Sequence, residues 1–495
     1  MSGGDRNDGR GRPRRRPAER SGRGPRAPRV EISPARLVAY DVLRDVEDRD
    51  AYANLALPSR IREARLDGRD AGLATELAAG ALRGRGRYDR IIELAAGRSS
   101  EQIDSRTLNV LRLGAHQLLG MRTAAHAAVN ESVELQRRVA NANAAGFVNG
   151  VLRAIGRSSN EEWDRRIGEE ARTPDEALAA RSSHPAWVLR ALRDALRSEG
   201  REHELEALLE ADNAPPRVSL AVLPGAGVDA EGAAATAREA GLSADGASPL
   251  GVELAGGDPV RAVAAIDARE GLVRVQDQGS QLAALALTRS RPVVPGERWL
   301  DLCAGPGGKT AVLGAEALLG GASLRANEVS EHRAELVRRA VAGVAGAVEV
   351  VSHDGREASA YGDRSSVYDR ILVDAPCSGL GALRRRPEAR WRKQPSDLPV
   401  LTALQGELLD AAVERLAPGG MLAYVTCSPH LAETRVVVDR LLQRHSGLRE
   451  LDARRVLRGI ARAELDLAGD SPSAQLWPHR HGTDAMFIAL LERGS

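Results

Sequence analysis

A strand-like run that breaks into glycines and then into helix-like sequence, Trp299–Thr310 (WLDLCAGPGGKT), most constrains how this chain can fold. In an open α/β sheet, a strand, a glycine-rich loop and a helix N-terminus together hold nucleotide-like ligands, because the glycines let the backbone approach the ligand. A phosphate-binding P-loop is excluded, since its first glycine would stand at Cys303. A dinucleotide fingerprint that starts at Gly305 is also excluded, since Thr310 replaces its third glycine.

The sequence after the loop indicates which kind of nucleotide-like ligand is bound. A second strand-like run, SLRANE, ends at Glu328, about 20 residues further on, where a carboxylate can accept both hydroxyls of a ribose. The arrangement resembles the cofactor loop of S-adenosylmethionine-dependent methyltransferases, and the resemblance implies that cofactor. An ordinary βαβ turn without a ligand is the alternative reading of the loop alone.

Strand-like and helix-like runs alternate over residues 291–495, in a chain of 495 residues that is long enough for about three domains. The strand-like runs are RWLDLC, SLRANE, AVEVVS, YDRILVDA, MLAYVTCS and AMFIALLE. This alternation predicts a mostly parallel, doubly wound sheet, whose ligands bind at the carboxyl ends of the strands. The residues at those ends are Cys303, Glu328, Asp354, Asp374–Ser378 and Thr426–Ser428.

The first part of the chain has a different pattern. Ser33 is the expected N-cap and Pro34 the first residue of a helix, and apolar residues then recur at helical spacing to about residue 157. This pattern predicts a compact all-α domain over residues 33–160. Its segments LRLGAHQLLGM, AAVNESVELQRR and GFVNGVLRAI resemble the NusB-like fold, an RNA-binding helical domain. A helical domain that contacts only proteins is the alternative.

Two further regions complete the predicted domain organisation. Residues 161–290 combine helical sequence with the short β-like runs RVSLAVL and LVRVQ, which predicts a connecting α/β subdomain. Residues 1–32 are predicted to be a disordered basic arm, because residues 1–29 carry ten arginines against three acidic residues among Gly, Pro and Ser. Such an arm either contacts phosphates or only keeps the chain in solution.

Composition excludes several classes of protein. The sequence has no signal peptide and no apolar run of about 18 residues, so we expect a cytoplasmic protein without a membrane segment. Its three cysteines form no CxxC pair, which argues against a disulfide framework and a zinc site. His479 and His481 lack a third ligand, so no metal is expected.

Cys377 and Cys427 end two predicted strands in turns flanked by Pro and Ser. Cysteine is often just a small buried hydrophobe, but a thiolate here would have a chemical use. Pyrimidine C5 is too poor a nucleophile to take a methyl group unaided, and thiolate addition to C6 activates it. A base must then remove the C5 proton so that the thiol can leave.

The segments DAPCSGLGALRR and VTCS resemble the two-cysteine signature of RNA 5-methylcytosine methyltransferases. Together with the NusB-like segments they resemble the RsmB/Sun-type family, which modifies small-subunit ribosomal RNA. The resemblance implies a Rossmann-like S-adenosylmethionine-dependent methyltransferase domain over residues 291–495. It also implies methylation of cytosine C5 in 16S ribosomal RNA.

The resemblance also assigns roles to residues. Cys427 is the implied nucleophile, and Cys377 assists release of the product. Asp374 is further hypothesised to bind the cytosine edge, and Glu433 is expected to favour the N-terminus of the helix that follows it. We expect a monomer whose partner is RNA. The implied residues for binding S-adenosylmethionine are Cys303, Ala304, Gly305, Pro306, Gly307, Gly308, Lys309, Glu328, Asp354 and Asp374.

Several alternatives stay open at this point. The substrate could be another RNA, or the chain could be a non-catalytic RNA-binding or antitermination factor. A DNA cytosine methyltransferase would instead use Cys377 as its nucleophile. The arginines that follow Cys377 either hold RNA phosphates or form an ordinary solvated run; they are Arg384, Arg385, Arg386 and Arg390.

Overall fold

The computed structural model describes residues 32–239, 246–254, 259–266, 271–363 and 365–494. The basic arm was predicted over residues 1–32, and residues 1–31 of it lie outside the described ranges. Within the described ranges, none of the helices combines the length and the apolar character needed to cross a membrane.

The first seven helices form a bundle with its own apolar core, which includes Val42, Leu77, Leu111 and Val148. The first helix begins at Pro34 as predicted, but the Ser33 side chain makes no capping hydrogen bond. The helices are α1 (Pro34–Asp48), α2 (Ala53–Glu63), α3 (Gly68–Arg83), α4 (Arg85–Ala96), α5 (Ser105–Leu119), α6 (Ala125–Val139) and α7 (Ala145–Ile155).

A connecting region follows, in which four helices lead to a small antiparallel sheet of order β2-β1-β3. The sheet contains the two β-like runs found in the sequence together with a further strand. The elements are α8 (Asn160–Glu170), α9 (Pro174–Arg181), α10 (Ala186–Ser198), α11 (Leu205–Asn213), β1 (Val218–Val222), α12 (Ala230–Glu239), β2 (Gly251–Leu254), α13 (Pro259–Ile266), β3 (Val273–Val275) and α14 (Gln278–Thr288).

The C-terminal domain is built on a sheet of order β10-β11-β8-β7-β4-β5-β6, with β9 also pairing with β11. The strands are β4 (Arg298–Asp301), β5 (Ser323–Asn327), β6 (Val348–Val351), β7 (Tyr368–Asp374), β8 (Leu416–Thr426), β9 (Leu448–Leu451), β10 (Ala474–Gln475) and β11 (Phe487–Arg493). The helices are α15 (Gly308–Gly320), α16 (Glu331–Ala340), α17 (Ala389–Arg392), α18 (Leu398–Glu414), α19 (Arg435–Arg444), α20 (Ala453–Ile460) and α21 (Pro478–His481).

The strands from β4 to β8 are parallel, which confirms the doubly wound sheet, whereas β11 runs antiparallel to β8. Alternate residues of a strand point to opposite sides of the sheet, and here both sets are apolar. Helices therefore cover both faces. On β8, Ala423 and Val425 face the core shared with α14 and α15, while Leu422 and Tyr424 face the core shared with α18 and α19. The carboxyl ends of β4 to β8 therefore meet at one edge.

Candidate active site

The glycine-rich loop joins the end of β4 to the first turn of α15, as the sequence predicts. Gly307 has a left-handed backbone with φ +101°, and a Cβ there would lie 2.5 Å from the Cβ of Ala340 on α16. Glycine is the residue that tolerates both the conformation and the close approach. The loop is therefore pressed against α16.

The Glu328 carboxylate lies directly beneath this loop and is almost fully buried. Its Oε2 accepts a hydrogen bond from the Gly305 amide at 3.0 Å, and its Oε1 accepts one from the Ser330 amide at 3.1 Å. A Cβ on Gly305 would stand 2.2 Å from Oε2, so a side chain at that position would displace the carboxylate. Arg333 lies 3.4 Å from the same oxygen. Glu328 is thus a buried carboxylate that backbone amides hold against the loop.

Asp354 lies just beyond β6 at the same edge of the sheet. Its position is set by Asn327, whose side chain bonds the backbone of His353 on one side and of Leu302 on the other. Hydrogen bonds from the side chain and amide of Arg356 lower the pKa of Asp354 to about 2. Asp354 is therefore ionised across the whole physiological pH range.

Two ionisable groups at the end of β4 have raised pKa values. Burial raises the pKa of Asp301 to about 7, although the Thr310 hydroxyl donates to its Oδ2 at 2.7 Å. Burial also raises the pKa of Cys303 well above its ordinary value, and its side chain packs against the core beside α18. Cys303 is therefore a neutral thiol that packs as a small apolar group.

Lys309 extends from the first turn of α15 to the end of β7. Its Nζ lies 2.8 Å from Asp374 Oδ2, and 10% of the lysine side chain is exposed. Burial alone would lower the pKa of Lys309, but the Asp374 carboxylate raises it overall. The ion pair joins two residues of the predicted cofactor set, a contact that local sequence patterns could not reveal.

The two cysteine turns that follow β7 and β8 bring Cys377 Sγ and Cys427 Sγ within 3.4 Å of each other. The hydrogen bond with Cys377 lowers the pKa of Cys427, and the cations of Lys309 and Arg386 lower it further, against burial and the Asp374 carboxylate, which both raise it. The same hydrogen bond and burial raise the pKa of Cys377 well above its ordinary value. The pair is thus unequal, with Cys427 the more acidic thiol.

The buried carboxylate of Glu433 holds these two turns together. From the sequence it was expected to interact with the N-terminus of the helix that follows it. Glu433 accepts hydrogen bonds from the Ser378 amide at 2.8 Å, the Ser378 hydroxyl at 2.5 Å and the Ser428 hydroxyl at 2.7 Å. Gln405 donates to the same carboxylate and to the Pro376 carbonyl. The Glu433 side chain therefore bonds the turns rather than the N-terminus of α19. The only sequence signal was the serine that follows each cysteine.

Three of the four arginines after Cys377 are paired with groups of the protein itself. They are therefore neither free to hold RNA phosphates nor part of a solvated run. Arg384 and Arg385 each bond both Asp277 and Asp484, at 2.7 to 3.0 Å. Burial alone would raise the pKa of Asp277, but the two guanidinium groups lower it overall. Arg390 is fully buried and donates to the Ser183 carbonyl at 2.9 Å and to Asn213 at 2.8 Å. These arginines pair internally because separate chain segments bring carboxylates and carbonyls to them.

The two histidines near the end of the chain also have protein partners. His479 Nε2 lies 2.8 Å from Glu204 Oε2, and His481 Nδ1 accepts the Trp477 amide at 2.8 Å. Across the described ranges, no group of three or more His, Cys, Asp or Glu side chains is arranged to hold a metal ion.

Comparisons with known proteins agree with this architecture. A sequence profile described as 16S rRNA methyltransferase RsmB/F matches residues 291–492, and a NusB family profile matches residues 33–157. A predicted methyltransferase of Mycobacterium tuberculosis is 46% identical over 472 residues, which cover 95% of this chain and 98% of that protein. The ribosomal RNA small subunit methyltransferase B of Pseudomonas putida is 35% identical over 419 residues, covering 84% of this chain and 91% of that protein.

A solved structure shares the fold over nearly the whole chain. The crystal structure of the protein PH0851 superposes with a TM-score of 0.76 at 22% identity, covering 94% of this chain and all of that one. The sequence relatives extend the likeness from the fold to the family. The chain therefore belongs to the RsmB/F family of ribosomal RNA methyltransferases and carries a NusB-family domain ahead of its α/β methyltransferase domain.

Proposed function

We propose that this chain methylates C5 of a cytosine in 16S ribosomal RNA and uses S-adenosylmethionine as the methyl donor. The observation that carries the proposal is the pair of thiols that lie 3.4 Å apart at the ends of β7 and β8, next to the Lys309–Asp374 ion pair and the glycine-rich loop. A methyltransferase that acts on oxygen or on an exocyclic nitrogen needs no thiolate. Activation of a pyrimidine carbon does need one.

The residues around the loop fit the proposed cofactor. The fixed carboxylate of Glu328 suits a ribose diol, and the close packing at Gly305 and Gly307 shapes a loop that a nucleoside can approach. Among the described residues, the buried Oε1 of Gln276 has no hydrogen-bond partner, and the side-chain nitrogen of Gln276 would lie 3.6 Å from a Cβ placed on Gly308. When bound, S-adenosylmethionine supplies an electrophilic methyl group on a sulfonium centre. Asp354 and Asp374 complete the proposed cofactor set.

Cys427 and Cys377 account for the attack on C6 and for the release of the product. The Cys427 thiolate forms a bond to C6, and the electron pair of the C5–C6 double bond moves to C5, which takes the methyl group. A base then removes the C5 proton, the double bond forms again, and the bond between C6 and Cys427 breaks. Cys377 assists this last step, because its thiol can donate a hydrogen bond to the departing Cys427 thiolate.

The two cysteines distinguish this proposal from its alternatives. A DNA-type enzyme would use Cys377 for attack, but Cys377 is the thiol with the raised pKa. A non-catalytic RNA-binding factor would have no use for two thiols placed together beside a lysine. The lowered pKa of Cys427, to which the Lys309 cation contributes, therefore favours attack by Cys427.

Cys427→Ala and Cys377→Ala test the proposed roles. Each variant is incubated with a 16S ribosomal RNA transcript and methyl-labelled S-adenosylmethionine, and the products are separated on a denaturing gel. Cys427→Ala should abolish labelling and form no covalent complex. Cys377→Ala should permit attack and methyl transfer but stall release, so that a labelled protein–RNA adduct accumulates. Reactions without the cofactor, and with DNA of the same sequence, are the controls.

Other results would contradict parts of the proposal. An adduct with Cys427→Ala and none with Cys377→Ala would reverse the two roles and favour the DNA-type mechanism. Full activity of both variants would exclude covalent catalysis. If the wild type labels other RNAs but not 16S ribosomal RNA, the proposed target is wrong and the chemistry stands.

A further inference from the structure

Arg386 differs from the other arginines that follow Cys377. Its side chain is exposed, and within the described ranges it forms no ion pair with a carboxylate, whereas Arg384 and Arg385 are both bound by Asp277 and Asp484. Its guanidinium carbon lies over the ring of Tyr52, 4.8 Å from the ring centroid. Tyr52 belongs to the helical domain, so the two domains together present a cation on an aromatic ring.

The Tyr52 ring is held in place from the side of the catalytic domain. Arg392 donates to the carbonyls of Val46 and Ala51 and lies over the same ring at 5.2 Å. The neighbouring Ala53 amide donates to Glu388 at 3.1 Å. Nevertheless Tyr52 is 42% exposed, one of the larger apolar side chains left in contact with solvent. Residues of the catalytic domain therefore contact the Tyr52 ring and its neighbouring backbone while leaving part of the ring exposed.

Arg386 lies on a segment that is bonded to the turn carrying Cys427. The segment that carries Arg386 begins beside Cys427, because the Gly381 amide donates to the Cys427 carbonyl at 2.8 Å. The Arg386 cation also lowers the pKa of the Cys427 thiol. A chain of nucleotides that places one base at Cys427 would therefore bring a neighbouring nucleotide to Arg386.

We propose that Arg386 and Tyr52 form a subsite for the nucleotide next to the target base in single-stranded RNA. The guanidinium group binds its phosphate through charge-assisted hydrogen bonds, and the exposed part of the Tyr52 ring contacts its base. The inference rests on the proposed function, because it takes the base at Cys427 as its reference point. It adds a contribution of the helical domain to the binding of RNA inside the catalytic cleft.

Binding without the cofactor tests this subsite. The probe is a fluorescein-labelled single-stranded RNA of about 12 nucleotides with one central cytosine, followed by fluorescence anisotropy over a series of KCl concentrations. Arg386→Gln should weaken binding about tenfold and flatten the slope of log K against log salt by about 0.7. Tyr52→Leu should weaken binding by a similar factor with a smaller change in slope, while Tyr52→Phe should bind like the wild type.

A matched control is the arginine–tyrosine pair at the opposite edge of the sheet. Arg298, at the start of β4, lies over Tyr368 at 5.3 Å from the ring centroid, and Arg298→Gln should leave affinity and slope unchanged. The subsite is overturned if Arg386→Gln binds like Arg298→Gln, or if the wild type does not bind the probe. If the wild-type protein binds the probe but transfers no methyl group, the result contradicts the proposed function and not the subsite. Failure of the subsite and failure of the proposed function can therefore be told apart.

Crosslinking gives the position of the contact. A 4-thiouridine placed directly beside the central cytosine should crosslink on irradiation to the peptide that contains Tyr52 or to the one that contains Arg386. Crosslinks found only in other peptides would contradict the subsite. The same probe with 4-thiouridine at its far end is the control for chance proximity.

Discussion

Lys309 lies between a carboxylate and a thiol, and it affects both of them. Its Nζ pairs with Asp374 at 2.8 Å, and its charge lowers the pKa of Cys427. The chain has only two lysines, Lys309 and Lys393, among its many arginines. A compact ammonium group can fit between two side chains where the larger, planar guanidinium group would need more space.

Lys309→Met should raise the pKa of Cys427, because the variant loses a cation near the thiolate and leaves the negative charge of Asp374 unbalanced. The pH at which iodoacetamide alkylates Cys427 at half its maximal rate should move upward. Peptide mapping separates Cys427 from Cys377 and Cys303, and Lys393→Met is the control for loss of a lysine. An alkylation profile equal to that of Lys393→Met would contradict this role of Lys309.

The turns after β7 and β8 behave as one element, because both are bonded to the same carboxylate. Glu433 is fully buried, and its four hydrogen bonds join residues that lie far apart in the chain. The distance between Cys377 and Cys427 therefore depends on a residue that touches neither the proposed cofactor site nor the thiols. Glu433 is a positioning residue.

Glu433→Ala should lower the free energy of unfolding by about 3 kcal/mol, since it leaves the Ser378 amide and two hydroxyl groups buried without their acceptor. It should also slow cross-linking of Cys377 to Cys427 by a short bis-alkylating reagent, because the turns are no longer held at a fixed distance. Urea unfolding and the cross-linking rate are the two measurements. Glu407→Ala removes a solvent-exposed acid that pairs with Arg356 and should change neither. Cross-linking at the wild-type rate in Glu433→Ala would show that the carboxylate does not set the distance.

At the scale of the whole molecule, the connecting helices are joined to the catalytic domain through an acid with an unusual pKa. Burial raises the pKa of Glu199 to about 7, although Trp477 donates to it at 2.8 Å. Between pH 4.5 and 7 the unfolded chain therefore releases the Glu199 proton while the folded chain keeps it. Protonation of Glu199 thus stabilises the fold at low pH, and this contribution is lost as pH rises through about 7.

Glu199→Gln should consequently be more stable than the wild type at about pH 8, by on the order of 2 kcal/mol. The difference should be small at about pH 5, because the protonated acid and the amide make similar hydrogen bonds to Trp477. Urea unfolding of both proteins across this pH range measures the difference. A constant offset between them would mean that Glu199 titrates normally in the folded protein.

Patterns along the sequence predicted the strands, turns and helices, which depend mainly on residues that lie close together in the chain. The strand ends at Cys303, Glu328, Asp374 and Cys427 were placed at one edge of a sheet, because hydrophobic runs and a glycine-rich turn encode strands and their connections. The bundle from Pro34 onward was predicted for the same reason, through helical periodicity.

Contacts between distant segments could not be predicted in this way. Arg384 and Arg385 looked like an exposed basic run, since nothing near them in the chain indicates Asp277 or Asp484. The bonds of Glu433 to Ser378 and Ser428 were missed for the same reason. Each of these networks joins charges from different elements, and such pairing depends on the folded arrangement rather than on spacing along the chain.

The position of β11 in the sheet has a consequence for synthesis of the protein. This strand pairs with β8, β9 and β10, and it follows every other described strand of the sheet in the chain. During translation the helical bundle can fold as soon as it leaves the ribosome, whereas β8 keeps an unpaired hydrogen-bonding edge until β11 emerges. The catalytic cleft is thus assembled late, after the helical domain, and the growing chain is most exposed to wrong strand pairing in the interval between the two strands.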